Sequence, residues 1–191
     1  MNPSVPVTAN SWKNSRIDNP FLLLKLIWHS RKPSLVDDMP VLCNGFWLRK
    51  GYDALTFFGT IITATDDDAL LMNSRRNGQQ NELKNHEMIH LRQAQDTHNS
   101  WWCFYFRYVW YWLRALPLSR LMRGAAYRLN PFEMEAYAHM HDAHYLEQCG
   151  GVATEWRRWA KLSPTQRLQW YREKGLTIAP SGENTLVSPH T

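Results

Sequence analysis

The stretch Asn85-His86-Glu87-Met88-Ile89-His90 reads His-Glu-x-x-His, and the rest of the chain is interpreted from it. Residues from Asn81 to about His98 repeat apolar side chains at helical spacing, so we predict a helix there. Histidines at positions i and i+4 share a helix face, where two imidazoles can bind one ion. Glu87 flanks that face, within reach of a water on the ion. The pattern indicates a zinc site with a carboxylate base; the alternative is two ordinary, partly buried histidines.

A catalytic zinc needs a third protein ligand. The residues after the motif read Leu91-Arg92-Gln93-Ala94-Gln95-Asp96 and lack the His-x-x-Gly-x-x-His continuation of the metzincins, which excludes that class. A second helix is predicted from Pro131, with Asn130 as its N-cap, to about Gln148, before Gly150-Gly151. Its first turns offer two glutamates as the remaining ligand.

The two candidate ligands are Glu133 and Glu135. Glu133 shares its helix face with mostly apolar or aromatic residues, so that face is expected to point inward. Glu135 shares its face with a more polar set that includes His139 and Asp142. We therefore favour Glu133 as the ligand and keep Glu135 as the alternative. Glu133 also stands three residues after Asn130, where a glutamate often completes a capping box.

The motif segment, together with Gln93 and the segment Phe132-Glu133-Met134-Glu135-Ala136, resembles the gluzincins, in particular their small bacterial members. The similarity covers residues 52–145. It implies a zinc-dependent metallopeptidase in which Glu87 is the general base and the metal ligands are His86, His90 and Glu133. Larger gluzincins carry an aspartate where this chain has Tyr137, so the resemblance implies a different support for the zinc-bound histidine.

A peptidase also needs a donor for the oxyanion that forms on the substrate. Tyr137 is our candidate for this catalytic role, with His139, His141 and His144 as alternatives. Each of these histidines is equally compatible with a solvated or packed helix surface. The segment Leu55 to Thr65 could form a cleft edge to which a substrate peptide adds as a strand, or it could be plain core sheet.

The predicted fold class is α+β: a mainly helical, zincin-like minimal domain with a small β-sheet packed beside the His-Glu-x-x-His helix. With 191 residues, of which 44% are hydrophobic, the chain suits one domain, assigned to residues 20–175. Residues 1–19 are expected to be a flexible arm and residues 176–191 a disordered tail. Leu55 to Thr65 is predicted as one strand or as two pieces kinked at Gly59.

Shorter segments are predicted from turn and capping signals. Phe21 to Ser30 suits a short helix or strand, and Asp66-Asp67-Asp68 suits a solvated turn or helix N-terminus. A polar loop is expected with a turn at Asn77-Gly78, and residues 118–129 are compatible with a helix. Two short helices are expected at residues 153–162 and 164–174, and the second begins with a capping box at Ser163.

An aromatic helix is predicted from Trp101 to Leu116, in a chain with ten tryptophans. It is apolar almost all round, with Arg107 in its middle, and is shorter than the roughly 20 residues that span a bilayer. We expect it to be buried, because a helix that is apolar all round is usually enclosed. The alternative is peripheral membrane contact through residues 101–113, since tryptophan and tyrosine concentrate at membrane interfaces.

The net charge of +5 is spread over scattered basic residues, which argues against nucleic acid as a partner. The expected partner is a peptide or protein substrate; the sequence does not predict an oligomeric state. Cys43, Cys103 and Cys149 form no Cys-x-x-Cys pair and fit a reducing compartment. The expected location is the cytoplasm, with a peripheral membrane position as the variant.

Two other functions compete with the peptidase. One is a non-catalytic membrane-associated or scaffold protein whose metal is structural or absent. The other is a ferritin-like di-iron protein, because Glu87-Met88-Ile89-His90 is also Glu-x-x-His. A di-iron site needs a second Glu-x-x-His and further carboxylates. The chain has no second match, since Glu135 and His139 are four residues apart.

Overall fold

The computed structural model describes residues 21–43, 54–76 and 79–173. This part is mostly helical with a small three-stranded sheet, in agreement with an α+β class. The helices are α1 (Phe21–Trp28), α2 (Asp66–Asn73), α3 (Glu82–Asp96), α4 (Trp101–Ala115), α5 (Ala125–Arg128), α6 (Pro131–His139), α7 (Tyr145–Gln148), α8 (Trp156–Ala160) and α9 (Pro164–Glu173). The strands are β1 (Val41–Cys43), β2 (Ala54–Phe57), β3 (Thr60–Thr63), β4 (Arg75–Arg76) and β5 (Gln79–Gln80). The predicted arm at 1–19, the turn at Asn77-Gly78 and the tail at 176–191 lie outside the described residues.

The main sheet has the strand order β1-β3-β2, with β1 parallel and β2 antiparallel to the central strand β3. β2 and β3 are joined by a tight turn at Phe58-Gly59, so the expected two strand pieces divided at Gly59 are present, but the chain reverses there instead of kinking. Gly59 has φ +82°, and a Cβ there would lie 3.3 Å from the Trp101 ring. Both the backbone conformation and the close ring favour glycine at the turn.

Helix α2 follows the sheet and begins at the three consecutive aspartates. Thr65 and Asp68 form a capping box, in which each side chain binds the other residue's backbone N–H. The carboxylates therefore sit at the positive end of the helix dipole, as one of the two sequence expectations had it. Beyond α2, the predicted polar loop contains the short antiparallel pair β4–β5.

Helix α3 carries the His-Glu-x-x-His motif and packs against β2, α4 and α6. Its N-cap Asn81 accepts hydrogen bonds from the backbone N–H groups of Leu83 and Lys84. All residues from Asn85 to Leu91 are buried. The placement of β2 against α3 confirms the expectation of a small sheet beside this helix.

Helix α6 begins as predicted, with Asn130 as N-cap and Pro131 in the first turn, but its predicted extent to Gln148 is wrong. It ends at His139, and α7 is a separate helix. The side-chain amide of Asn85 on α3 donates to the carbonyls of His139, Met140 and Asp142, at 3.3, 2.9 and 3.1 Å. These contacts satisfy carbonyl groups that a continuing helix would have used itself.

The expectation that the aromatic helix is buried is wrong for half of its surface. Helix α4 packs Trp101 and Phe104 into the core, whereas Trp102 and Phe106 are 66% and 77% exposed. The helix therefore has one buried face and one exposed face, although apolar residues lie on both. In the described part of the chain, no helix combines the length and the apolar character needed to cross a bilayer.

The chain after α4 forms short elements. The predicted helix at residues 118–129 is replaced by a 3-10 helix at Leu116–Arg120 and by α5. Two short C-terminal helices are present as predicted, and Ser163 and Gln166 form the expected capping box at the start of α9. Residues of α8 pack against α6, which links the C-terminal segment to the ligand-bearing helix.

Candidate metal centre

The packing of α6 against α3 brings together the three residues that the sequence nominated as metal ligands. His86 Nε2 lies 3.2 Å from Glu133 Oε2, and His90 Nε2 lies 3.4 Å from Glu133 Oε1. The two imidazole Nε2 atoms are 3.2 Å apart. All three side chains are buried, with exposed fractions of 5% or less. Among the described residues, this is the one group of His, Cys, Asp and Glu whose ligand atoms converge closely enough to hold an ion.

These separations match the donor spacing of a tetrahedral zinc site. Zinc–nitrogen and zinc–oxygen bonds of about 2.0–2.2 Å at tetrahedral angles place ligand atoms roughly 3.3–3.5 Å apart. Two imidazole nitrogens and one carboxylate form the donor set of many catalytic zinc sites, which leave the fourth position open. The residues present therefore fit a zinc ion in both chemistry and spacing.

An unsatisfied atom in the group supports a role beyond packing. His86 Nδ1 is buried without a hydrogen-bond partner, and an unsatisfied buried polar atom is costly. Burial opposes charge on both members of the His90–Glu133 pair, yet their mutual attraction outweighs it. The carboxylates of Glu133 and Glu87 raise the pKa of His90 to about 9. The imidazoles in turn hold the pKa of Glu133 well below its usual range.

A hydrogen-bonded chain behind His90 fixes the orientation of its ring. Gln93 Nε2 donates to the Phe132 carbonyl at 2.9 Å and to Glu135 Oε2 at 2.8 Å. Gln93 Oε1 is therefore an acceptor, and it binds the Nδ1–H of His90 at 2.8 Å. With Nδ1 bound to Gln93, Nε2 is the ring nitrogen that faces Glu133 and His86, and it is the nitrogen that would bind a metal after losing its proton.

Glu135, the alternative ligand, points away from the group. It is fully buried. Oε1 accepts hydrogen bonds from the Tyr145 hydroxyl at 2.6 Å and the Glu155 N–H at 2.7 Å. Oε2 accepts from Gln93 and from the Trp156 N–H. Glu135 therefore joins α6 to α3, α7 and the start of α8, and it contacts the histidines only through Gln93.

Two tyrosines complete the surroundings of the group. The Tyr108 hydroxyl on α4 donates to Glu133 Oε1 at 2.7 Å. Tyr137 packs its ring edge-on against His86, with 4.6 Å between centroids, and is 47% exposed, so it borders the group on the solvent side. Burial and the charge of Glu133 raise the pKa of the Tyr137 hydroxyl, which keeps it a proton donor at neutral pH.

Glu87, the expected general base, is buried next to the group, and its charge contributes to the raised pKa of His90. One of its carboxylate oxygens, Oε2, accepts a short hydrogen bond from the Thr56 hydroxyl on β2. Sheet and helix are thus joined at the residue that the motif assigns to proton transfer. Thr56 was not predicted as a site residue, since a threonine in a strand carries no local signal of a distant partner.

The segment Leu55 to Thr65, expected as a cleft edge or as core sheet, contains both the border strand β2 and the central strand β3 of the described sheet. The Ile61 N–H on β3 donates to the Pro40 carbonyl, on the side of β3 opposite β2. Ile61 and Thr56 are therefore a non-hydrogen-bonded pair, and the backbone N–H and C=O of Thr56 point away from the sheet. The Tyr105 hydroxyl fills this position. It donates to the Thr56 carbonyl and accepts from the Phe58 N–H, each at 3.0 Å.

The three histidines considered as oxyanion donors contact glutamate carboxylates elsewhere. His139 pairs with Glu155 and stacks on Tyr145, with ring centroids 3.8 Å apart. The other two form pairs with glutamates near the surface, at 3.0 and 3.1 Å: His141 with Glu82 and His144 with Glu147. The structure thus places Tyr137, and none of these histidines, against the His86–His90–Glu133 group.

Tyr108 was also missed by the sequence analysis, although its spacing carried a signal. Phe104 and Tyr108 stand four residues apart on α4, so a buried Phe104 implies an inward Tyr108.

Comparison with known protein families, with curated proteins and with solved structures found no match.

Proposed function

We propose that the protein is a zinc-dependent metallopeptidase of the gluzincin type, built on a minimal zincin-like domain. The observation that carries this proposal is the convergence of His86 Nε2, His90 Nε2 and the Glu133 carboxylate within 3.4 Å of one another. These three side chains would hold the ion. A zinc ion there would supply a Lewis acid and lower the pKa of a coordinated water to ~7.

The residues around the group suit amide hydrolysis. Glu87 would accept the proton of the attacking water and return it to the leaving amine, because its buried carboxylate is acceptor-only when ionised. Thr56 holds one carboxylate oxygen in place, which limits the orientations available to the base. Tyr137 borders the group with a neutral hydroxyl and is our candidate donor to the oxyanion.

The Gln93–Glu135 chain supports the same proposal. Metal-bound histidines usually donate their second ring N–H to a fixed acceptor, and His90 does so through Gln93. His86 lacks such an acceptor and is held by the Tyr137 ring, at the position where larger gluzincins carry an aspartate. This support by packing favours a site with one strongly oriented and one less strongly oriented histidine.

The first test is the metal content of the purified protein. We expect one zinc per chain in the wild type and loss of zinc in both His86→Ala and Glu133→Gln. His139→Ala is the matched control, because His139 lies on α6 but pairs with Glu155 outside the group, and it should retain zinc. A wild type that binds no zinc, or a His86→Ala variant that keeps it, would overturn the proposal.

The second test addresses catalysis. Glu87→Gln should retain zinc and the fold but lose hydrolysis of a peptide library by about a hundredfold or more, because the general base is removed. Glu82→Gln is the control: Glu82 lies on the same helix, and its surface ion pair is outside the group. If Glu87→Gln hydrolyses peptides at the wild-type rate, the role assigned to Glu87 is wrong.

One competing function draws on a specific observation. The exposed aromatic residues of α4 suit a non-catalytic membrane-associated or scaffold protein whose metal is structural or absent. Retained zinc without hydrolysis of any peptide in the library would favour it. The di-iron alternative receives no support from the described residues, because Glu135 is bound by Gln93, Tyr145 and α8 rather than facing a second ion.

A further inference from the structure

Helix α4 presents a continuous apolar stripe to solvent, which we call the α4 ridge. Its members recur at positions i, i+4, i+7, i+8 and i+11 and therefore lie on one helix face. They are Trp102, Phe106, Val109, Trp110 and Leu113, all at least half exposed. The stripe continues beyond the helix in Leu116 and Leu121, which are 42% and 65% exposed. Contiguous exposed apolar surface of this kind marks an interaction site.

The segment that carries the ridge has charged side chains of a single sign. Residues 97–132 contain five arginines and no aspartate or glutamate. Arg107 and Arg114 each follow a ridge residue directly, so both lie along the same flank of the helix. Arg120 is exposed just past the end of α4. The partner of this surface therefore has to combine an apolar layer with negative charge.

We propose that the α4 ridge binds the surface of an anionic lipid bilayer, with the helix lying in the plane of the membrane. Tryptophan and phenylalanine on one face with arginines beside it are the composition of interfacial helices. Anionic headgroups attract such arginines. At 15 residues the helix is too short to cross a bilayer, which leaves the in-plane arrangement.

A second copy of the chain fits the same surface less well. A two-fold symmetric contact would bring the ridge of one copy against the ridge of the other. The arginines beside both ridges would then place only positive charge at the interface. Like charges placed together at an interface oppose association. The single sign of charge thus selects an anionic partner over self-association.

The opposite face of α4 contacts the metal centre. Tyr108 donates to Glu133, and Tyr105 binds the backbone of β2 beside Thr56. The centre therefore lies about one helix diameter, ~10 Å, from the surface that the ridge would touch. If the proposed function holds, on which this step rests, the substrate class is polypeptide segments that lie at or emerge from a membrane surface.

Vesicle co-sedimentation of the full chain tests the proposal. The probes are vesicles of phosphatidylcholine alone and vesicles with one third phosphatidylglycerol. We expect wild-type protein to bind the anionic vesicles, less strongly at high salt. The triple variant Trp102→Ser/Phe106→Ser/Trp110→Ser should lose binding by about tenfold or more, because buried apolar area drives interfacial binding. Arg114→Glu/Arg120→Glu should weaken binding to the anionic vesicles.

The matched control is Trp28→Ser/Leu70→Ser/Leu71→Ser, which removes three equally exposed apolar side chains outside the ridge. It should bind like the wild type, and circular dichroism should show both triple variants folded. Absence of wild-type binding, equal loss in the control, or a concentration-dependent dimer that the ridge variant abolishes would each overturn the proposal. Vesicle binding should persist in His86→Ala, so failure of the metal site and failure of the membrane surface are distinguishable.

Discussion

Gln93 Oε1 accepts the Nδ1–H of His90 at 2.8 Å, and this hydrogen bond fixes which imidazole nitrogen faces Glu133 and His86. The orientation of the amide is itself determined, since its nitrogen donates to the Phe132 carbonyl and to Glu135. A residue three positions beyond the motif thus controls the tautomer of a candidate ligand. The consequence can be measured without any knowledge of the substrate.

Gln93→Leu should lower zinc affinity by about 10–100-fold. Removing the group that accepts a hydrogen bond from the second ring nitrogen of a metal-binding histidine has effects of that size. Competition with a chromophoric chelator measures the affinity. Gln95→Leu is the control: Gln95 lies on the same helix but donates to the Pro33 carbonyl, away from the histidines. Equal affinity losses in the two variants would contradict the role of Gln93.

Thr56→Val should leave zinc content unchanged but lower kcat about tenfold, because Glu87 loses the hydroxyl that holds its carboxylate. A buried hydrogen bond to a charged group contributes about 1.5–3 kcal/mol, so thermal denaturation should also show reduced stability. The comparison is with Thr63→Val, whose hydroxyl faces the Leu42 carbonyl on β1 and the Thr65 carbonyl rather than a carboxylate. A fall in kcat of the same size in both variants would argue against a specific effect on Glu87.

Glu135→Ala should reduce the free energy of unfolding by about 3–5 kcal/mol, because four donors, three of them buried, lose their acceptor together. Urea denaturation measures this change. Glu147→Ala removes a carboxylate whose side chain is 79% exposed and whose histidine partner is also solvated. That control should change stability by less than about 0.5 kcal/mol. Similar losses in the two variants would show that the Glu135 network contributes little.

Arg167→Met should be neutral or stabilising by about 1–2 kcal/mol. Arg167 is fully buried, and its Nε and Nη2 atoms have no hydrogen-bond partner. Burial and the neighbouring Arg114 lower the pKa of Arg167 to about 10. A folded-state pKa below the unfolded value means that the charged form destabilises the fold throughout neutral pH, and a methionine of similar length removes that charge.

Differential scanning calorimetry at pH 7 tests the prediction for Arg167. Arg172→Met, an exposed arginine on the same helix, should leave the melting temperature unchanged. A melting temperature of Arg167→Met several degrees below that of the wild type would show that its contacts with the Trp159 carbonyl and the Tyr111 ring outweigh the cost of burying the charge.

The parts of the fold that were predictable are those with local signals. The Thr-rich segment divided at Gly59 because glycine tolerates a positive φ, and Asn130-Pro131 started α6 because proline needs no N–H partner there. The inward direction of Glu133 followed from the residues sharing its helix face. Each of these features depends on neighbours within a few positions.

The features that escaped prediction depend on distant residues. The end of α6 at His139 depends on Asn85, which is 54 residues away in sequence. Glu135 is buried because α7 and α8 bring donors to it, and its own helix face gives no indication of them. The exposure of α4 reflects how few of the described elements pack on its outer side, which composition alone does not specify.

The hydroxyl of Tyr105 protects the folded protein against aggregation through its sheet edge. An open sheet edge is a template for pairing with other chains and so for aggregation. Tyr105 occupies the carbonyl of Thr56 and the N–H of Phe58, two outward groups that a foreign strand would otherwise engage. A single side chain on helix α4 thus blocks the pairing of another chain's strand with this border of the sheet.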